Sequence, residues 1–142
     1  MHVEFRYYAI INWTVDMIVQ AARIKEKKMP FIEVKTTVEL TEDKKNELKT
    51  GLGKVITRIP NKTEAVTMIG LVGNYDLYLG GKHLDKGAYV EVKMYKSATT
   101  KEKADVNQGI FDLLKDCLDI DADNIYITFH EKSEWGVKGK LI

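Results

Sequence analysis

The segment Phe31-Ile-Glu-Val-Lys35 returns 58 residues later as Tyr89-Val-Glu-Val-Lys93, and each copy is followed by a helix-start signal and an amphipathic stretch. A strand-helix-strand unit used twice leaves few architectures open, because each crossover is right-handed and returns the chain to the same sheet. In the first copy Ile32, Val34 and Thr36 fall on one face and Phe31, Glu33 and Lys35 on the other. Thr41 with Glu42 and Asp43 supplies an N-cap and an acidic first turn, and Leu48, Leu52, Val55, Ile56 and Ile59 recur at helical spacing until Pro60-Asn61. Ala65 to Val72 reads as a second strand, apolar on both faces in the manner of a buried one. Gly73-Asn74 and Gly80-Gly81 punctuate a short hairpin around Leu77 to Leu79.

In the second copy Thr99-Thr-Lys-Glu102 has capping-box spacing, Val106, Ile110, Leu113, Leu114, Cys117 and Leu118 form the helix stripe, and the strand Ile125 to His130 follows. The expected fold is α/β (α+β): a duplicated β-α-β making a four-stranded mixed sheet with two helices on one face. The other face, with Tyr89, Glu91, Lys93 and Tyr95, is expected to hold aromatic surface covered by another copy of the chain.

Charge narrows the partners. Twenty-two Lys and Arg stand against 21 Asp and Glu, a net charge of +1, so no basic field argues for nucleic acid. The most apolar stretch, Tyr8 to Val19, is interrupted by Asn12 and Asp16 and is too short to span a bilayer, so no membrane partner is expected. The single cysteine, Cys117, excludes an intrachain disulfide and any CxxC motif, which fits a reducing, cytoplasmic setting. Asp119, Asp121 and Asp123 have the spacing of a calcium loop, but Asn124 stands where glycine is required and His130 where glutamate is, so acidic capping of a turn explains them better. His2, His83 and His130 lie at no metal-ligand spacing. Neither metal nor cofactor is expected.

Residues 1–29 lack these periods and end in the polar run Arg23-Ile-Lys-Glu-Lys-Lys28 before Met29. They read as an N-terminal extension to a domain at 30–142. Lys25-Glu-Lys-Lys28 can be encoded by a purine-rich tract just upstream of an ATG, so the start reads as mis-assigned; a genuine N-terminal helix packed on the assembly is the alternative.

Met29-Pro-Phe-Ile32, Ile59-Pro-Asn-Lys-Thr63, Leu77-Tyr-Leu-Gly-Gly81, Asn124-Ile-Tyr-Ile127 and the ending Trp135-Gly-Val-Lys-Gly139, in this order over residues 30–142, resemble the tautomerase superfamily, in its branch of macrophage migration inhibitory factor (MIF) and the phenylpyruvate tautomerases. The resemblance implies a MIF-like homotrimer with its active site at the subunit interface. It also implies a keto-enol tautomerase of phenylpyruvate-like α-keto acids, in which Pro30, exposed by removal of Met29, is the general base. A prolyl amine at the N-terminus binds a proton reversibly, and an apolar pocket with a nearby ammonium lowers its pKa toward neutrality. By the same resemblance Lys62 holds the carboxylate or carbonyl oxygen and stabilises the enolate, the strand carrying Met94 and Tyr95 offers backbone donors to the carboxylate, and Tyr126 reaches the site from a neighbouring subunit. Positions 88–91 are Ala-Tyr-Val-Glu in place of the thiol pair of some members. Arg58 is the sole arginine of residues 30–142, which disfavours the arginine-using branches. The ending also lacks the second aromatic and terminal phenylalanine often seen in this branch. As an internal residue Pro30 is a tertiary amide with no basic nitrogen, so the alternative is a non-catalytic MIF-like trimeric binding or signalling protein.

Overall fold

The computed structural model describes residues 14–15 and 29–142. The reading of residues 1–28 as an extension therefore lies, apart from Thr14 and Val15, outside the described residues. Strand β1 (Phe31–Thr36) buries Ile32, Val34 and Thr36, as its alternation requires. Helix α1 (Glu42–Val55) starts where the Thr41 side chain accepts from the Lys44 amide, and a 3-10 turn at Ile56–Arg58 extends it toward Pro60. Next come β2 (Met68–Val72), the hairpin β3 (Tyr78–Leu79) and β4 (Lys82–His83), and β5 (Ala88–Tyr95). Helix α2 (Thr100–Leu118) opens with the expected capping box, Thr99 with Glu102. Strand β6 (Ile125–Lys132) and a terminal hairpin, β7 (Gly136–Val137) with β8 (Lys140–Leu141), complete the chain.

The four long strands form one mixed sheet in the order β2-β1-β5-β6. Each β-α-β unit supplies a parallel pair, and the units join antiparallel through β1 and β5, with Phe31 opposite Lys93 and Thr36 opposite Ala88. Both helices pack on one face: Leu48, Leu52, Ile56, Ile110 and Leu114 meet Ile32, Val34, Val90 and Val92 in a continuous core. The right-handed crossover dictates this one-sided cover.

Two expectations need correction. Residues 65–72 are not one buried strand. Glu64–Val66 is a 3-10 turn, closed by the Thr67 amide on the Glu64 carbonyl and the Thr67 hydroxyl on the Thr63 carbonyl, and β2 is an edge strand whose Met68 is 70% exposed. Nor is the helix-free face chiefly aromatic. Its middle rows carry the ion pairs Glu33–Lys35 at 3.3 Å and Glu91–Lys93 at 3.1 Å, and beside them the hydroxyls of Tyr89 and Thr128 lie 3.0 Å apart, with Thr128 2.8 Å from His130 Nε2. Glu33 and Glu91 are cross-strand partners, so each needs its own lysine to offset the like charge opposite.

The hydrogen bond from Lys93, helped by the charges of Lys93, His130 and Lys35, holds the Glu91 carboxyl below its ordinary range. A depressed folded-state pKa stabilises the fold above the unfolded value, and that contribution is lost as pH falls through the folded one. Lys93→Ala should therefore move the Glu91 titration upward, followed by side-chain carboxyl NMR; an unmoved Glu91 would show that Lys93 is not its partner.

Candidate active site

Pro30 stands at the head of β1, the strand held on both sides, by β2 and by β5. Its carbonyl accepts the Met68 amide at 3.0 Å, the first rung of the β1–β2 ladder, so two strands fix the ring's position. Pro30 is buried and lines a cleft of about 920 Å³. Phe31 and Met68 line it from the sheet, Ala65 and Val66 from the 3-10 turn, and Trp135, Val137 and Ile142 from the C-terminal end. Trp135 and Ile142 exchange backbone hydrogen bonds at 3.2 and 2.8 Å, which ties the base of the terminal hairpin beside the cleft. An apolar cleft around a fixed proline disfavours charge on a basic nitrogen there.

The other candidates are placed differently. Lys62 follows α1, with its amide on the Ile59 carbonyl, but its side chain is 2% exposed and does not line the cleft. Tyr95 is 3% exposed at the same end of the sheet as Pro30, with the Lys96 ammonium 5.0 Å from its ring centroid, and it does not line the cleft either. Tyr126 is 63% exposed at the other end: it pairs with Tyr89, which pairs with Lys35. Pro30 lies five residues before Lys35, about 16 Å along an extended strand, so Tyr126 does not reach the proline of its own chain. It lines a recess of about 100 Å³ with Tyr78, Leu84, Tyr89 and Asn124.

The sequence reading passed over Phe31, Met68, Lys138 and Lys140 as site residues. Lys138 and Lys140 are cations that line the cleft, and the usable signal for them was the tight turn at Lys138-Gly139 just after Trp135. Among the described residues no group of three or more His, Cys, Asp or Glu could hold a metal ion. Asp119 and Asp121 both take the Lys115 ammonium at 3.0 Å, and Asp121, ahead of the 3-10 turn Ala122–Asn124, makes no side-chain capping hydrogen bond.

The family model for macrophage migration inhibitory factor (MIF) matches residues 29–141. The chain belongs to this family. The family lies in a superfamily that includes tautomerases. Solved relatives share the fold: a MIF of Leishmania major superposes with a TM-score of 0.75 at 20% identity, covering 81% of this chain and 98% of the other. A MIF-like protein of Entamoeba histolytica gives 0.72 at 22%, covering 80% and 99%. A third, solved after inactivation by 2-oxo-3-pentynoate, gives 0.66 at 13%, covering 77% and 93%. No curated protein matches significantly.

The burial of Lys62 has its own consequence. Lysine is rarely buried this deeply, and the packing of its stem is lost on truncation. Lys62→Ala should lower unfolding free energy by roughly 1 to 3 kcal/mol, whereas an exposed turn lysine stays within about 0.5 kcal/mol. Chemical denaturation decides between the two.

Proposed function

We propose that the chain is a keto-enol tautomerase of phenylpyruvate-like α-keto acids, active when Pro30 is the first residue. The observation that carries this reading is the apolar cleft built around Pro30, in a chain whose family match begins one residue earlier. With Met29 removed, the ring nitrogen becomes a secondary amine. It takes a proton from the carbon next to the carbonyl; the C–H electrons form the enol double bond and the carbonyl π electrons move to oxygen. The same amine returns the proton to oxygen, and the reverse steps regenerate the ketone. An ammonium near that oxygen stabilises the charge as it develops. Phe31 and Trp135 suit an aryl group, and the relative inactivated by 2-oxo-3-pentynoate supports a 2-oxo acid as the class of ligand.

The assembly we propose is a trimer in which Tyr126 of one copy completes the cleft of the next. Its exposure, and its distance from the proline of its own chain, support that arrangement. The second reading, a non-catalytic binding or signalling protein, draws on the Met29–Pro30 bond: an acylated nitrogen cannot take a proton. The use of a single cysteine fits a reducing, cytoplasmic setting.

A protein beginning at Pro30 should interconvert keto and enol phenylpyruvate without added metal, as followed by enol absorbance. One residue added before Pro30 should abolish turnover, and Pro30→Gly at the terminus should retain part of it. Equal rates from the 142-residue chain and the chain starting at Pro30 would remove the proline from the mechanism. Sedimentation of the same samples at micromolar concentration should give a trimer; a monomer would refute the shared site.

A further inference from the structure

Gly70 stands in the middle of β2, and nothing in its backbone calls for glycine: among the described residues the glycines with positive φ are Gly80, Gly81 and Gly139. In a strand a glycine gives up side-chain packing and chain entropy, and it often marks a place where another group comes close. Met68 and Val72, two positions before and after it on the same face, are large and exposed, so the strand itself admits large side chains. The close group is the Phe31 ring. A Cβ on Gly70 would stand 3.2 Å from Phe31 Cζ and 3.4 Å from its Cε2, tighter than ordinary van der Waals contact. Phe31 pairs with Met68 and Glu33 with Gly70, so the ring leans one pair along the sheet, away from Pro30, with its far edge over the glycine. Glu33 Cγ would lie 3.7 Å from the same Cβ, and the Glu33 carboxylate is tied to Lys35 at 3.3 Å. The ring is closed in on that side.

We propose that Gly70, which does not itself line the cleft, is a positioning residue that sets the cleft's width by seating the Phe31 ring on β2. Phe31 and Met68 form the sheet-side wall of the cleft. With the seat open, the ring lies back against the sheet and leaves space for a flat aryl group beside it. A side chain at Gly70 fills the seat and turns the ring off β2, toward Met68 and Pro30, where an aryl ligand would lie. The preference that follows is for an aryl acid over a slim alkyl acid of like length. The inference rests on the reading of the cleft as a site for aryl α-keto acids, and it adds the residue that decides how wide a group enters. Binding alone tests it, which does not require Pro30 to be basic.

The test uses the full chain and two non-reacting acids, 3-phenylpropionate and hexanoate, which share a carboxylate and differ in width. Calorimetry and the indole NMR signal of Trp135 give the ratio of their dissociation constants. The parent should favour the phenyl acid. Gly70→Val should weaken binding of the phenyl acid about tenfold and leave hexanoate within about twofold. In a Phe31→Ala background, where there is no ring to displace, the same substitution should leave the ratio as it is. The melting temperature there should hold or rise, because valine suits a strand. A purely structural role for Gly70 would weaken both acids together and lower the melting temperature in either background. The proposal is overturned by that result, by an unchanged ratio in Gly70→Val, or by a ratio that still shifts when Phe31 is absent. A parent that binds neither acid removes the aryl-acid reading and this inference with it. Binding as expected, with no tautomerisation by the chain starting at Pro30, overturns the proline mechanism and leaves the seat standing.

Discussion

The site depends on β1 being an inner strand. Because β1 is paired parallel to β2 on one side and antiparallel to β5 on the other, every backbone group along it is fixed, and so is the residue that enters it. The Met68 amide on the Pro30 carbonyl is where this fixing begins. A proline at the head of an edge strand would be held from one side only. Here the Pro30 carbonyl is tied to β2 and the next residue, Phe31, pairs with Lys93 of β5, so the entry to the strand is held from both sides.

The same seam explains the character of the helix-free face. Two strands that alternate strictly and meet antiparallel bring Glu33 and Glu91 together, and a one-residue slip would push both into the core. The lysines two positions along each strand offset the repulsion, so the face is a charged lattice edged by Tyr89, Thr128 and His130. A second copy meeting this face would meet polar groups, and the exposed apolar side chains lie at the rims, at Met68, Val72, Tyr78 and Tyr126.

Much of the fold was legible because its signals are local. The period-two alternation of β1, the Thr41 cap and the Thr99–Glu102 capping box depend on residues a few positions apart, and all appear as read. The failure at β2 has a different origin. Ala65 to Val72 is apolar enough for a central strand, but whether a strand lies inside or at the edge depends on where the other half of the chain docks, and the local sequence carries no trace of that. Lys62 shows the same limit: its motif fixes its place in the turn, while its exposure is set by what packs over it. Tyr126 was placed on the right strand, and only the register showed that it lies a strand's length from the proline of its own chain.

Cation placement differs between motif and cleft: Lys62 is buried, while Lys138 and Lys140 are exposed and line the cleft. A lysine in a post-helix turn can serve a substrate only if its ammonium reaches the cavity, and desolvating that ammonium costs more than a single carboxylate contact returns unless the geometry is favourable. A lysine on an exposed hairpin keeps its hydration and carries no such cost. The hairpin is short, and its two lysines need no buried charge to sit beside an apolar wall formed by Phe31 and Trp135. Exposed cations beside apolar walls are the usual make-up of a small-molecule cleft, in which a few polar groups fix orientation and the apolar lining supplies the contact area.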